Sequence, residues 1–400
     1  MVVQRMYRYR IYPSGKQKIR LINSLKTCKT IYNELLALSI DSWKYGQVSL
    51  NKFDYCAITK GYSSNVNSQV IQNVSDRVHK AFQNFFRRVK DKSYKKKGFP
   101  RFKSRVNSIT FPQSKVKIRD KLYHNGYKLL SNKRLFASKM GNIPIVLHRI
   151  PKGKIKTLTI KVNHAGQWFA VFCCEIDTPK IIHPSKAKVG IDVGLENFAT
   201  LSNGESIGNP RYLVTAEKRL KLLNRRLSRK MKGSNNRRKA RFRLAVQHIK
   251  VANQRTDFLH KLSFKLVKAY SLIAVEDLNI INMLQTHRLA KHITDASWNT
   301  FINMLSYKEV TLGGQCVKVN PSMTSKTCSK CGHIQAMPLS VREFVCGNCG
   351  FVVHRDLNSA NNILVRADCP ELNACGDSTS VTEQSVASQI VEAGTINDIV

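Results

Sequence analysis

The chain has 400 residues, 42% of them hydrophobic, and sets 67 lysines and arginines against 25 aspartates and glutamates, a formal net charge of +42. That hydrophobic share builds cores for two or three domains and excludes a disordered polyelectrolyte, while the charge points to a polyanionic partner, nucleic acid first. No run of eighteen apolar residues and no targeting segment is visible, so a membrane partner is excluded and a cytoplasmic, reducing setting is expected.

The charge is unevenly placed. All 67 basic residues precede residue 367, leaving 19 acids and a net charge of +48 over residues 1–366. Residues 369–400 are acidic and rich in serine and threonine, which predicts a disordered tail.

In chain order, residues 1–13 alternate basic with aromatic or aliphatic side chains and read as a strand. A helical pattern then runs from Ser14 through Ile19, Ile22, Leu25, Ile31, Leu35 and Leu38. Residues 65–92 carry Val66, Val70, Val74, Val78, Phe82, Phe85 and Val89 on one helical stripe. The remaining face holds Gln69, Gln72, Asn73, Arg77 and Lys80; amides there could read base edges and cations hold phosphates, or the face could simply be solvated. The basic, aromatic-interleaved segment 95–103, with Arg101 and Lys103, suits a single strand whose bases stack on rings.

From Ser108 to Glu175 the period becomes two, with a turn at residues 163–167, and several short strands predict a small barrel or sandwich. The first strand could join it, making residues 14–103 a helical insertion. Residues 189–202 then read as an apolar strand interrupted by Asp192, with Asn203-Gly204 as a hairpin turn. Residues 210–232 and 236–270 form a basic helical hairpin that includes Arg237, Arg238 and Arg241. A strand over 272–276 ends in Glu276, residues 298–305 read as a helix and 315–320 as a strand.

Cys328-x2-Cys331 and Cys346-x2-Cys349, fourteen residues apart and each pair followed by a glycine, have zinc-ribbon spacing. Four thiolates close the coordination of one structural Zn2+. The competing disulfide or redox readings lack a framework among Cys28, Cys56, Cys173, Cys174, Cys316, Cys369 and Cys375.

In so basic a chain, acids within apolar strands are informative, because burying a carboxylate costs several kcal/mol unless something compensates. Asp192, Glu276 and Asp356 form an ordered set, Asp356 opening a predicted helix over 357–366 where it could also serve as the N-cap. Carboxylates converging on two Mg2+ ions are what phosphodiester hydrolysis needs, and strands, helix, strand, strand and helix with acids at these places is the ribonuclease H layout. Asp177 and Asp277 read as linker and exposed strand-end residues.

The segments Val189-Gly-Ile-Asp-Val-Gly-Leu-Glu-Asn-Phe-Ala-Thr, Val275-Glu-Asp-Leu-Asn, Thr324-Ser-Lys-Thr-Cys-Ser-Lys-Cys-Gly and Arg355-Asp-Leu-Asn-Ser-Ala-Asn-Asn-Ile resemble, in order and context, the motifs of the TnpB (OrfB) proteins of insertion sequences, compact relatives of the type V CRISPR effectors. The likeness covers most of the chain. It implies an endonuclease that binds a transposon-derived guide (omega-type) RNA; the oligomeric state stays open, with one protein monomer per RNA favoured. Such an enzyme reads a short adjacent motif in double-stranded target DNA and cuts with one RuvC site made of Asp192, Glu276 and Asp356. Where that family commonly places a second acid two residues before the last aspartate, this chain has His354. A nuclease-inactive RNA-guided repressor and an RNA-independent accessory DNA-binding protein of transposition are the alternatives.

The fold expected is therefore a multidomain α/β and α+β chain: an N-terminal β-barrel (1–13 and 104–180) with a helical recognition insertion (14–103), then an RNase H-like (RuvC) mixed sheet (181–320 and 353–368) with its helical hairpin (211–270) and an inserted four-cysteine zinc ribbon (321–352).

Overall fold

The computed structural model describes residues 2–369 except 61, 63–64, 92, 95, 113–115, 119–120, 124–125, 131, 178–181, 286 and 339. The tail expected to be disordered lies, but for Cys369, outside the described residues. The chain divides into two compact units, Val2–Asp177 and Thr178–Val400.

Alternation builds the first unit. β1 (Val2–Ile11) buries Tyr7, Tyr9 and Ile11 and leaves Arg8 outside, the period of a half-buried strand. The chain then enters α1 (Gly15–Gly46), where Ser14 and Gln17 form a reciprocal capping box. Leu21, Leu25, Cys28, Tyr32, Leu35 and Leu36 are its buried stripe. α2 (Lys52–Lys60) and α3 (Ser68–Lys90) follow, with Val70, Val74 and Val78 of α3 buried at their helical spacing. The Ser39 and Tyr55 hydroxyls, 2.8 Å apart, join α1 to α2.

Next come β2 (Ser108–Phe111), β3 (Val116–Ile118), β4 (Lys121–Tyr123), β5 (Tyr127–Leu130), β6 (Arg134–Ala137), β7 (Gly141–Val146), β8 (Lys154–Val162) and β9 (Trp168–Asp177). β3 and β4 pair with each other, and the rest join β1 in one antiparallel sheet of order β2-β8-β9-β1-β7-β6-β5. The N-terminal strand thus lies mid-sheet, and α1 to α3 are an excursion between β1 and β2. Phe111 from one end and Tyr127 from the other enter a single core, so the sheet curls nearly closed.

In the second unit β10 (Lys188–Val193), β11 (Asn197–Leu201) and β12 (Ser206–Gly208) form an antiparallel meander. α4 (Tyr212–Ser228) and α5 (Asn235–Ala269) make the helical hairpin, Ser234 capping α5. β13 (Leu272–Glu276), α6 (Ile280–Met283), α7 (His287–Ala296), α8 (Trp298–Leu312) and β14 (Gln315–Val319) lead to the short pair β15 (Glu343–Val345) and β16 (Val352–His354), and α9 (Arg355–Asp368) follows. The sheet order is β12-β11-β10-β13-β14, with β13 and β14 parallel to their neighbours. Among the described residues, no helix is long and apolar enough to cross a membrane.

Strand periodicity sorts the two faces. Val189 and Ile191 of β10 and Ile273 and Val275 of β13 join Leu259, Leu266, Trp298, Phe301 and Leu305 from α5 and α8 in one core. Gly190, Asp192, Ala274 and Glu276 lie on the opposite face, where Ala274 packs with Val319 and Ile363 of α9. A Cβ at Gly190 would run into the Ala360 carbonyl oxygen and come within 2.8 Å of the Leu364 amide. Glycine therefore lets α9 lie directly on β10. Gly190→Ala is expected to lower stability by about 1–3 kcal/mol, as overpacking does, read as a lower melting midpoint; Gly208→Ala, whose Cβ meets nothing within 4 Å, should leave the midpoint nearly unchanged.

Candidate active site and metal centre

The parallel register of β10 and β13 pairs Ile191 with Val275, so Asp192 and Glu276 stand next to each other one step further on. Asp356 lies in the first turn of α9, which packs against both strands. Burial holds the Asp192 carboxyl well above the ordinary carboxylate range, and the charges of Glu276 and Asp356 push it further, with Arg355 opposing them. The structure thus brings Glu276 and Asp356 each within electrostatic reach of Asp192. Glu276 is also raised by burial, countered by the Thr324 hydroxyl, which donates to it at 2.6 Å, and by Arg366. An all-oxygen set that disfavours its own charge is one that a hard divalent cation relieves.

His354 resolves the alternative role for Asp356. It is the N-cap of α9, its Nδ1 accepting from the Asp356 amide at 3.3 Å, so the Asp356 carboxylate is not spent on capping. That carboxylate keeps an oxygen 4.0 Å from the Arg342 guanidinium. Asp277 is exposed and pairs with Lys318 at 3.1 Å, and Asp177 ends β9 in the other unit.

The four cysteines form the second centre. Their Sγ atoms all lie within 4.8 Å of one another, with Cys328 and Cys349 3.8 Å apart and Cys331 and Cys346 3.6 Å apart. A tetrahedral ion with bonds of about 2.3 Å sets sulfur-to-sulfur edges of about 3.8 Å, so the set fits Zn2+. The knuckles match. Cys328 N donates to His333 O and Gly332 N to Cys328 O, while Cys346 N donates to Phe351 O and Gly350 N to Cys346 O. Gly332 and Gly350 both hold positive φ, 75° and 67°, where a side chain would be strained. Phe344, wholly buried, and Met337 close the small core beneath the sulfurs.

The predicted nucleic-acid face is only partly exposed. Gln69 is buried on α3 rather than facing outward. Arg77 donates to Ser108 O at 3.2 Å and Thr110 Oγ1 at 2.8 Å, tying α3 to β2, and Arg237 donates to Leu227 O and Lys230 O, closing the turn after α4. The two arginines are used by the fold, while both amide atoms of the buried Gln69 side chain are without a hydrogen-bond partner. Gln72, Lys80, Arg101, Lys103, Arg238 and Arg241 are exposed and Asn73 is half-buried. The basic loop is pinned to α3 by Arg88, which donates to Lys97 O and Gly98 O, and by Phe99 against Phe82 and Phe85.

Residues that sequence reasoning passed over are Thr324, Asn358 and Asn362. A signal was available for the two asparagines, one turn apart inside α9, where a poor helix former needs a use for its amide; for Thr324 there was none.

Residues 171–287 match the family model OrfB_IS605, described as "Probable transposase", and residues 298–363 match "Cas12f1-like, TNB domain". Residues 1–47 match a "Helix-turn-helix domain", although the structure forms one strand and one helix there. A Streptomyces pristinaespiralis protein named "Putative RNA-guided DNA endonuclease" is 34% identical, over 94% of this chain and 92% of its own length. The chain belongs to the TnpB (OrfB) family. A second TnpB relative, "Putative RNA-guided DNA endonuclease InsQ" of Escherichia coli K12, is 29% identical over 93% of this chain and 94% of its own. In fold, the chain resembles the protein in the "Cryo-EM structure of the Cas12f1-sgRNA-target DNA complex", with a TM-score of 0.59 at 15% identity, covering 90% of this chain and 98% of that one.

The two centres make separate predictions. With its folded-state pKa raised, Asp192 opposes folding when charged, so metal-free Asp192→Asn should melt above wild type at neutral pH, read as a higher melting midpoint. The gap should shrink as pH falls and wild-type Asp192 takes up its proton. Cys346→Ser should lose most bound zinc, measured by elemental analysis, and yield less folded protein.

Proposed function

We propose that this TnpB-family chain is an RNA-guided, Mg2+-dependent DNA endonuclease whose one active site is a two-metal RuvC centre formed by Asp192, Glu276 and Asp356. The observation that carries this reading is the coupling of those acids at the ends of two adjacent parallel strands and the start of α9. The sheet order supports it, because an antiparallel meander continued by two parallel strands with acids at these places is the ribonuclease H arrangement. The names of the TnpB relatives supply the RNA guide and the DNA substrate.

On this reading residues 181–320 and 353–368 are the nuclease, 321–352 the zinc ribbon holding one structural Zn2+, 1–13 and 104–180 a wedge-like barrel, and 14–103 the recognition insertion. One chain binds one guide RNA and one double-stranded target.

Two Mg2+ ions, when bound by these carboxylates, supply an activated water and stabilise the leaving oxygen. The residues of the chain prepare for that. Asp192 and Glu276 project from neighbouring strands, which fixes their separation, and the Thr324 hydroxyl orients the Glu276 carboxylate. His354 caps α9 and leaves the oxygens of Asp356 available. Guide pairing would read the sequence, so the cationic surface needs only to follow backbone and A-form shape, with affinity falling steeply as salt rises.

The test is to purify the protein with the RNA from its native locus and challenge it with Mg2+ and a plasmid carrying the matching target beside randomised flanks. Cleavage is expected to require the match, one flank sequence and Asp192, with Asp192→Ala keeping the RNA and losing at least a hundredfold in rate, the scale typical of removing an essential catalytic group. Guided target binding without cleavage would make it a repressor. Joining of DNA ends without RNA would replace the reading with transposition chemistry.

A further inference from the structure

We infer that residues 321–329 act as a strap through which the zinc ribbon positions Glu276, with Thr324 as the positioning residue. This rests on the two-metal reading above. Thr324 is buried, and its hydroxyl lies 2.6 Å from Glu276 Oε1 and 3.2 Å from Pro321 O. It has one proton to give, and the shorter, charge-assisted contact to the carboxylate is the stronger.

The strap is held along its length by α9. Asn362 Nδ2 donates to Thr324 O at 2.8 Å and to Thr327 O at 2.7 Å. Asn358 Nδ2 donates to Thr327 O at 2.7 Å, and its Oδ1 accepts from Ser329 N at 2.9 Å. Between Thr327 and Ser329 stands Cys328, so Asn358 grips the backbone on both sides of a zinc-site cysteine. Asn358 is completely enclosed and Asn362 nearly so, and neither amide reaches the metal sulfurs or the acids. Their use is to tie the first knuckle to the helix that starts with Asp356.

A chain of contacts therefore runs from the four-cysteine cluster through Cys328, Thr327 and Thr324 to Glu276. Partners of metal-binding carboxylates fix their orientation, and losing one costs about 10–100-fold in metal affinity or activity. Opening the first knuckle would withdraw the hydroxyl from Glu276 with no change at the acids themselves. The ribbon so acts on the nuclease centre through geometry.

The experiment uses full-length protein purified with its guide RNA, and Mn2+ as the probe, its binding followed by electron paramagnetic resonance. Thr324→Val keeps the side-chain shape and removes the donor; Thr324→Ser keeps the donor. Thr324→Val is expected to hold zinc and RNA as wild type does, bind Mn2+ about tenfold more weakly and cleave about 10–100-fold more slowly at limiting Mg2+. Thr324→Ser should recover most of both. Asn362→Leu, which frees the strap backbone at Thr324 O and Thr327 O and leaves the Thr324 side chain and the acids unaltered, should weaken Mn2+ binding in the same direction and serves if Thr324→Val folds poorly. Unchanged Mn2+ affinity in both Thr324→Val and Asn362→Leu, with Asp192→Asn still weakening it, would overturn the strap and leave the nuclease reading standing. Mn2+ binding indifferent to Asp192→Asn would overturn that reading and the strap with it.

Discussion

Like charges crowded on one face of a sheet are the constraint that shapes the second unit. Like charges repel more strongly in a low-dielectric interior than in water, and Asp192 feels the charges of Glu276 and Asp356 on top of its own burial. Nothing in the acids themselves keeps them together. What does so is backbone: two parallel strands in register and a helix seated where Gly190 offers no side chain. Partial relief comes from donors and cations, with Thr324 and Arg366 acting on Glu276, Arg355 on Asp192 and Arg342 beside Asp356. The relief is incomplete, and an arrangement that costs stability as it stands is typical of a site shaped by function.

Helix α9 meets that constraint with different faces. Ala360 and Leu364 take the close approach to β10, Ile363 fills the apolar layer above β13 and β14, and Asn358 and Asn362 turn to the strap. Its start is arranged with the same economy. Had Asp356 been the N-cap, its oxygens would have been drawn to backbone amides; His354 takes that task one residue before the helix begins. The residue before the helix thereby leaves the Asp356 carboxylate clear of the cap.

Much of this was legible before any coordinates. An aspartate inside an apolar strand with glycines on either side, an acid closing a second short strand, and two Cys-x2-Cys pairs are local signals, and each identifies its own element. Helix α2, nine residues long with Tyr55 and Thr59 buried, and the four-residue α6 are too short to show a period, so they were missed. The helix stripe of α3 was read correctly for Val70, Val74 and Val78 but not for Val89, which is exposed near the helix end, nor for Gln69, because periodicity marks which residues face the core and cannot show where the core stops or that an amide goes with them. Arg77 and Arg237 were misjudged for a related reason: an arginine that bonds to carbonyls is indistinguishable in sequence from one held out for phosphate. Thr324 escaped because its role depends on a carboxylate 48 residues away.

On the nuclease reading, the acid cluster and the basic field of the chain act in opposite senses on the same substrate. A net charge of +48 over residues 1–366 would gather a polyanion and release its counterions on binding, a term that depends on total salt and not on any one ion. At the three acids the sign reverses, and a phosphate approaching them without cations would be repelled by the charges that raise Asp192. On the nuclease reading, then, capture of nucleic acid and seating of the scissile phosphate answer to different ions. Monovalent salt weakens the first, while the second waits on divalent cations drawn by the very repulsion among Asp192, Glu276 and Asp356. On that same reading, crowding the acids would favour a compact double charge, because two carboxylates that disfavour each other gain more from one divalent ion shared between them than from two separate monovalent ones.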